Sequence, residues 1–139
     1  MIRSARINGL CWLGGLCLLA GCGRQEPLLY PVQGKVYWKD QPATGAMVVF
    51  HPLFSLESGN QKPRAYVKED GHFQLTTNRL YDGAPSGRYA VTVHWRPYED
   101  EDEEPGPNLL PPRYASPRSS GLEVDIQQGA NRLPAMRLK

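Results

Sequence analysis

From Val32 onward, apolar and polar residues alternate with a period of two, the spacing that puts successive side chains on opposite faces of a strand. Val32, Gly34, Val36 and Trp38 share one face, and Gln33, Lys35 and Tyr37 the other. Lys39-Asp40-Gln41-Pro42 breaks the run. Ala46, Val48 and Phe50 then alternate with Met47, Val49 and His51 until Pro52. Ala65 and Val67 alternate with Tyr66 and Lys68, and Phe73 and Leu75 with His72, Gln74 and Thr76. Tyr89, Val91, Val93 and Trp95 alternate with Arg88, Ala90, Thr92 and His94. Leu122, Val124 and Ile126 alternate with Glu123, Asp125 and Gln127. A last run, Arg132 to Leu138, alternates poorly, and Pro134 marks it as an edge strand or a bulge.

These segments predict seven strands and no helix. Glu69-Asp70-Gly71 reads as a tight turn, and Gly129 before Asn131 as the hairpin joining the last two strands. Short strands set between 14 Gly and 13 Pro residues argue for an all-β, seven-stranded antiparallel sandwich, each sheet burying one face. The predicted core is Val36, Trp38, Val48, Phe50, Val67, Phe73, Leu75, Tyr89, Val91, Val93, Leu122, Val124 and Ile126.

The amino-terminal residues follow another rule. Arg3 and Arg6 precede an apolar run from Leu10 to Ala20, too short to span a bilayer and closed by small residues. This reads as a cleaved export signal over residues 1–21. Leu19-Ala20-Gly21-Cys22 resembles the lipobox of bacterial lipoproteins. The resemblance implies that Cys22 is acylated, with palmitate or a similar chain, and becomes the first residue of the mature protein. Two or more acyl chains hold a protein stably at a membrane, where one does so only marginally. Gly23, rather than Asp, after the cysteine favours the outer membrane by the enterobacterial sorting pattern. The expected location is the cell envelope, lipid-anchored. Residues 22–31 then form a lipidated tether, and 32–139 the sandwich.

Processing changes the charge and the thiols. The chain has 16 Lys+Arg and 14 Asp+Glu, and losing Arg3 and Arg6 makes the mature form formally neutral. No Lys/Arg cluster points to nucleic acid. Cys11 and Cys17 leave with the signal and Cys22 carries lipid, so no disulfide, cysteine–zinc site or cysteine nucleophile is expected.

Gly34-Lys35-Val36, Asp40-Gln41-Pro42, Gly45-Ala46-Met47-Val48-Val49-Phe50, Glu69-Asp70-Gly71-His72-Phe73, the segment Ala84-Pro85-Ser86-Gly87-Arg88-Tyr89, and Gly129-Ala130-Asn131 follow one another in a familiar order. Together they resemble the carboxypeptidase regulatory-like, or transthyretin-like, β-sandwich domain, in particular the small lipoproteins of that type from planctomycetes. That resemblance covers about residues 32–139. It implies a Greek-key sandwich and a non-catalytic binding or scaffolding module, with an envelope protein or a glycan as partner and no cofactor.

Candidate chemistry is sparse. His51, His72 and His94 fall on outward positions without metal-ligand spacing. Glu99 to Glu104 is a run of six carboxylates. It lacks the interleaved glycine and backbone ligands of a calcium loop and reads as a solvated segment, with weak cation association or docking of a basic partner as sharper alternatives. Ser86, Ser119 and Ser120 have no nucleophile context. The related hydroxyisourate hydrolases end in Tyr-Arg-Gly-Ser, whereas this chain ends Met136-Arg137-Leu138-Lys139. Tyr37 and Tyr66 point outward and Tyr98 and Tyr114 lie in loops. Tyr37 and Tyr66 are the candidate ligand-facing aromatics of a carbohydrate-binding module.

Overall fold

The computed structural model describes residues 21, 23, 26–55, 61–96, 104 and 106–139. Leu19, Ala20 and Cys22 lie outside the described residues, as do Tyr98 and all of the acidic run except Glu104; Gly21 is described and exposed. Two sheets pack face to face, and each of the seven predicted segments contributes strand.

The first sheet is built on β1 (Val32–Trp38). Its even-numbered residues bond to β5 (His72–Gln74): Leu75 N donates to Val32 O at 3.0 Å, and Val36 N to Gly71 O at 2.9 Å. On the same side, the short β2 (Gln41–Pro42) folds back through a turn in which Lys39 and Asp40 both have positive φ, 48° and 63°. That pair of left-handed residues is the signature of a type I′ hairpin. The second sheet has the order β4–β3–β6–β7, comprising β4 (Arg64–Tyr66), β3 (Met47–Pro52), β6 (Gly87–His94) and β7 (Glu123–Ile126).

Two expectations need correcting. The pairing is not antiparallel throughout: β8 (Asn131–Arg132) and β9 (Met136–Leu138) run parallel to β1. Nor does Gly129 join a hairpin, because β7 belongs to the second sheet and β8 to the first. The chain after β7 crosses between sheets and so arrives beside β1 in the same direction. Asn131 shapes the crossing. Its carboxamide accepts from Gln127 N at 2.8 Å and donates to Gln127 O at 2.9 Å and Gly129 O at 3.0 Å. Pro134 interrupts the last run, splitting it into β8 and β9, as a residue without an N–H must.

The predicted core is buried except at its margin. Trp38, Leu122 and Val124 are only partly buried, because they sit where the sheets end. At the centre, the Phe50 ring meets Phe73 edge-on at 6.2 Å and Tyr89 at 5.8 Å. The Tyr89 hydroxyl donates to Pro85 O at 2.7 Å, and burial pushes its pKa well above the usual phenol value. The core also holds Ala46 and Ala65, which the alternation turns inward, and Ala43 and Ala84, which lie outside it. Tyr114, expected in an open loop, is buried on a 3₁₀ turn (Pro112–Ala115), where Lys139 N donates to its hydroxyl at 2.9 Å. No helix among the described residues is long and apolar enough to cross a membrane.

Candidate functional site

The two sheets meet along one side, where β4 faces β5. Glu69-Asp70-Gly71 forms the expected turn, with Gly71 at φ +85° and Gly71 N donating to Lys68 O at 2.9 Å. A positive φ is cheap for glycine and strained for any residue with a Cβ. Beyond the turn the strands pair, separate and pair again. Lys68 N donates to His72 O at 2.7 Å. Four residues further from the turn on each strand, Arg64 and Thr76 exchange both backbone hydrogen bonds, at 3.0 and 2.9 Å. Tyr66 and Gln74 lie between these points. By the period of two, their N–H and C=O groups face each other across the gap. Among the described residues no β-bridge pairs them; the bridge between these strands is at Arg64–Thr76.

A cavity of about 330 Å³ opens at this gap, lined by both strands and by Leu80 and Tyr81 of the following loop. That loop is held by its own hydrogen bonds. Asp82 accepts from Thr77 N at 2.7 Å, Asn78 N at 2.9 Å and Arg79 N at 2.7 Å. Burial pushes the Asp82 carboxyl up, but the backbone N–H groups outweigh it and hold the acid below its ordinary range. The buried Thr77 hydroxyl donates to Gly83 O at 2.6 Å, and Tyr81 N donates to Thr76 Oγ1 at 3.0 Å. Tyr81 itself sits at φ 60°, a conformation costly for a bulky residue.

The fixed loop keeps apolar groups in solvent. Leu80 is 75 % exposed, Tyr81 47 %, and Tyr66 across the cavity 66 %. Scattered exposed apolar residues are ordinary, but several lining one cavity make a patch. Lys68 crosses it: Nζ lies 5.0 Å from the Tyr81 ring centroid and 3.5 Å from Gln74 Oε1. Cations seat favourably over an aromatic face, so Lys68 and Tyr81 fix each other at the rim.

The two candidate aromatics do not come together. Tyr66 stands at this cavity, whereas Tyr37 is on β1 in the first sheet. The Arg137 guanidinium covers the Tyr37 ring at 5.0 Å and is itself held by Asp40 Oδ1 at 3.1 Å. An arginine on that face occupies the position a ligand ring would take. The histidines also separate by sheet. His51 and His94 sit on the second, and His72 on the first, next to Asp70 Oδ2 at 3.5 Å. Thr92 Oγ1 lies 2.9 Å from His51 Nε2. Desolvation, with the nearby Lys62 and His94 charges, keeps His51 below its ordinary value. No group of three or more His, Cys, Asp or Glu converges among the described residues.

Sequence reasoning found Tyr66 and missed Leu80 and Tyr81. The available signal was an apolar pair set between turn-forming Asn78 and Asp82-Gly83, an arrangement that places large residues at a loop tip.

No family model and no curated protein matches the chain. Among solved structures it is similar to two bacterial proteins of the DUF3823 family. One, from Parabacteroides merdae, has a TM-score of 0.45 and 12% identity, covering 82% of this chain and 47% of that one. The other, from Bacteroides ovatus, has a TM-score of 0.42 and 10% identity, covering 78% of this chain and 44% of that one. The chain thus spans about half the length of either neighbour.

Proposed function

We propose that this chain is a lipid-anchored cell-envelope protein whose sandwich is a non-catalytic binding module, with the cavity between β4 and β5 as its binding face. The observation that carries the binding role is the loop 76–83. Its internal hydrogen bonds hold Leu80 and Tyr81 in water beside Tyr66, ready for a ligand without further ordering. A surface organised before binding loses less entropy on association. The anchor rests on Leu19-Ala20-Gly21-Cys22 and the apolar run before it. A carbohydrate ligand is a second reading. It is favoured by the exposed Tyr66 ring and the Gln74 carboxamide, which offer stacking surface, a donor and an acceptor.

Two experiments test these parts separately. Cys22→Ser should abolish labelling by palmitate and release the protein from membranes; unchanged fractionation overturns the anchor. A photoreactive benzophenone side chain placed at Leu80 in the full chain should give a cross-linked adduct in membranes, while the same group at Glu123 on β7 should not. Equal adducts at both positions, or none at Leu80, overturn the binding face.

A further inference from the structure

The cavity at β4–β5 is one end of a longer groove. A second cavity of about 70 Å³ shares Gln74 and Tyr81 with it, and a third of about 270 Å³ shares Gln33 with the second. The path runs from β4 across β5 and β1 to β8. Three inter-strand spacings make it roughly 14 Å long. Its walls carry Arg64 and Lys68 at one end and Lys35, His72 and Arg132 at the other. Among the described residues, no aspartate or glutamate lines these three cavities.

Two cations away from the groove are neutralised, Arg88 by Glu123 and Arg137 by Asp40. Among the described residues, Arg64, Lys68, Lys35 and Arg132 make no ion pair; Asp70 lies 3.5 Å from His72, and the Lys35 charge acts on the same carboxylate. Register places the second cluster. Arg132 is opposite Gln33, His72 is opposite Lys35, and Gln33 and Lys35 share the outward face of β1. Between the two basic ends lie groups that both give and accept hydrogen bonds. These are the carboxamides of Gln33 and Gln74.

Resting on the binding face proposed above, we propose that the groove takes an acidic oligosaccharide, a short chain of uronic acid units. Hydroxyls that donate and accept match the carboxamides. A sugar ring matches the exposed face of Tyr66. Carboxylates match the lysines and arginines at both ends. An acidic peptide adding as a strand fits less well. Strand addition needs a free sheet edge, and here β4 and β5 face each other and are bridged at Arg64–Thr76. A membrane surface fits less well because the cations line a groove rather than a flat face.

The mature chain is titrated calorimetrically with an oligogalacturonate, with the same oligomer as its neutral methyl ester, with single-stranded oligonucleotide and with anionic lipid vesicles. The oligogalacturonate should bind in preference to all three. Lys35→Gln and Arg132→Gln should each weaken it about tenfold, the worth of one charge-assisted hydrogen bond. Arg88→Gln, outside the groove, should leave it unchanged. Equal binding of the neutral ester, or insensitivity to Lys35→Gln and Arg132→Gln, overturns the acidic-sugar assignment. Binding only of oligonucleotide or vesicles overturns it as well. If the benzophenone at Leu80 still cross-links in membranes while no uronate binds, the sugar assignment fails and the binding face stands.

Discussion

Two antiparallel pairings in this molecule use the same geometry and end differently. Between β3 and β6 the ladder runs unbroken from Met47 opposite His94 to Pro52 opposite Tyr89. Between β4 and β5 the strands meet at the turn and again at Arg64–Thr76, and part at Tyr66–Gln74. The closed ladder buries Val48, Phe50, Val91 and Val93 completely. The open one keeps Ala65, Val67, Phe73 and Leu75 inward but leaves Tyr66 to the solvent. Each of its strands belongs to a different sheet, and two sheets of a sandwich diverge as they twist. Stability is therefore concentrated at β3–β6, and the proposed binding face lies where the sheets come apart.

The sharpest way to break this contrast is in the closed half. Phe50→Ala removes a ring packed on both Phe73 and Tyr89, and is expected to cost about 3–5 kcal/mol in denaturant unfolding. Next comes the hinge between tether and loop. Gly83 has φ +88°, and a Cβ there would strike the Tyr30 carbonyl, so Gly83→Ala should cost about 2–4 kcal/mol. Gly121→Ala is the control: φ is +68° with open space around it, so only about 1–2 kcal/mol of backbone strain is expected.

Smaller effects belong to the open half. Asp82→Ala should lower global stability by about 1.5–3 kcal/mol, and most of the lost hydrogen-exchange protection should fall on Thr77, Asn78 and Arg79. Because the Asp82 acid is held below its ordinary 3.8, its contribution is present above that pH and fades as pH falls through the folded-state value. Tyr66→Ala should change stability by no more than about 0.5 kcal/mol while removing the Leu80 cross-link. A large loss of stability would mean that Tyr66 is structural and the contrast false.

The smallest expected effect is on the outer face of the closed half. His51 is held below its ordinary 6.5, so the unfolded chain binds its proton first. Stability should be full above 6.5 and decline as pH falls through the folded-state value, and His51→Gln should remove that part of the decline. A variant whose decline matches the parent's would show that His51 does not contribute.

The sequence by itself determined the strands and which face of each turns inward. Alternation is local: Val48 and Phe50, or Phe73 and Leu75, commit a segment to one face whatever its partner. Turn chemistry is local too, and Gly71 was legible for that reason. The tertiary structure alone decided which strands pair. Pairing depends on residues far apart in the chain, such as Val36 with Met136, so the parallel return of β8 and β9 left no mark on the alternation. The candidate groove is of the same kind. Tyr66 was visible as an outward aromatic, but its neighbours Tyr81, Gln33 and Arg132 come from other elements, and only the meeting of the two sheets brings them onto one path.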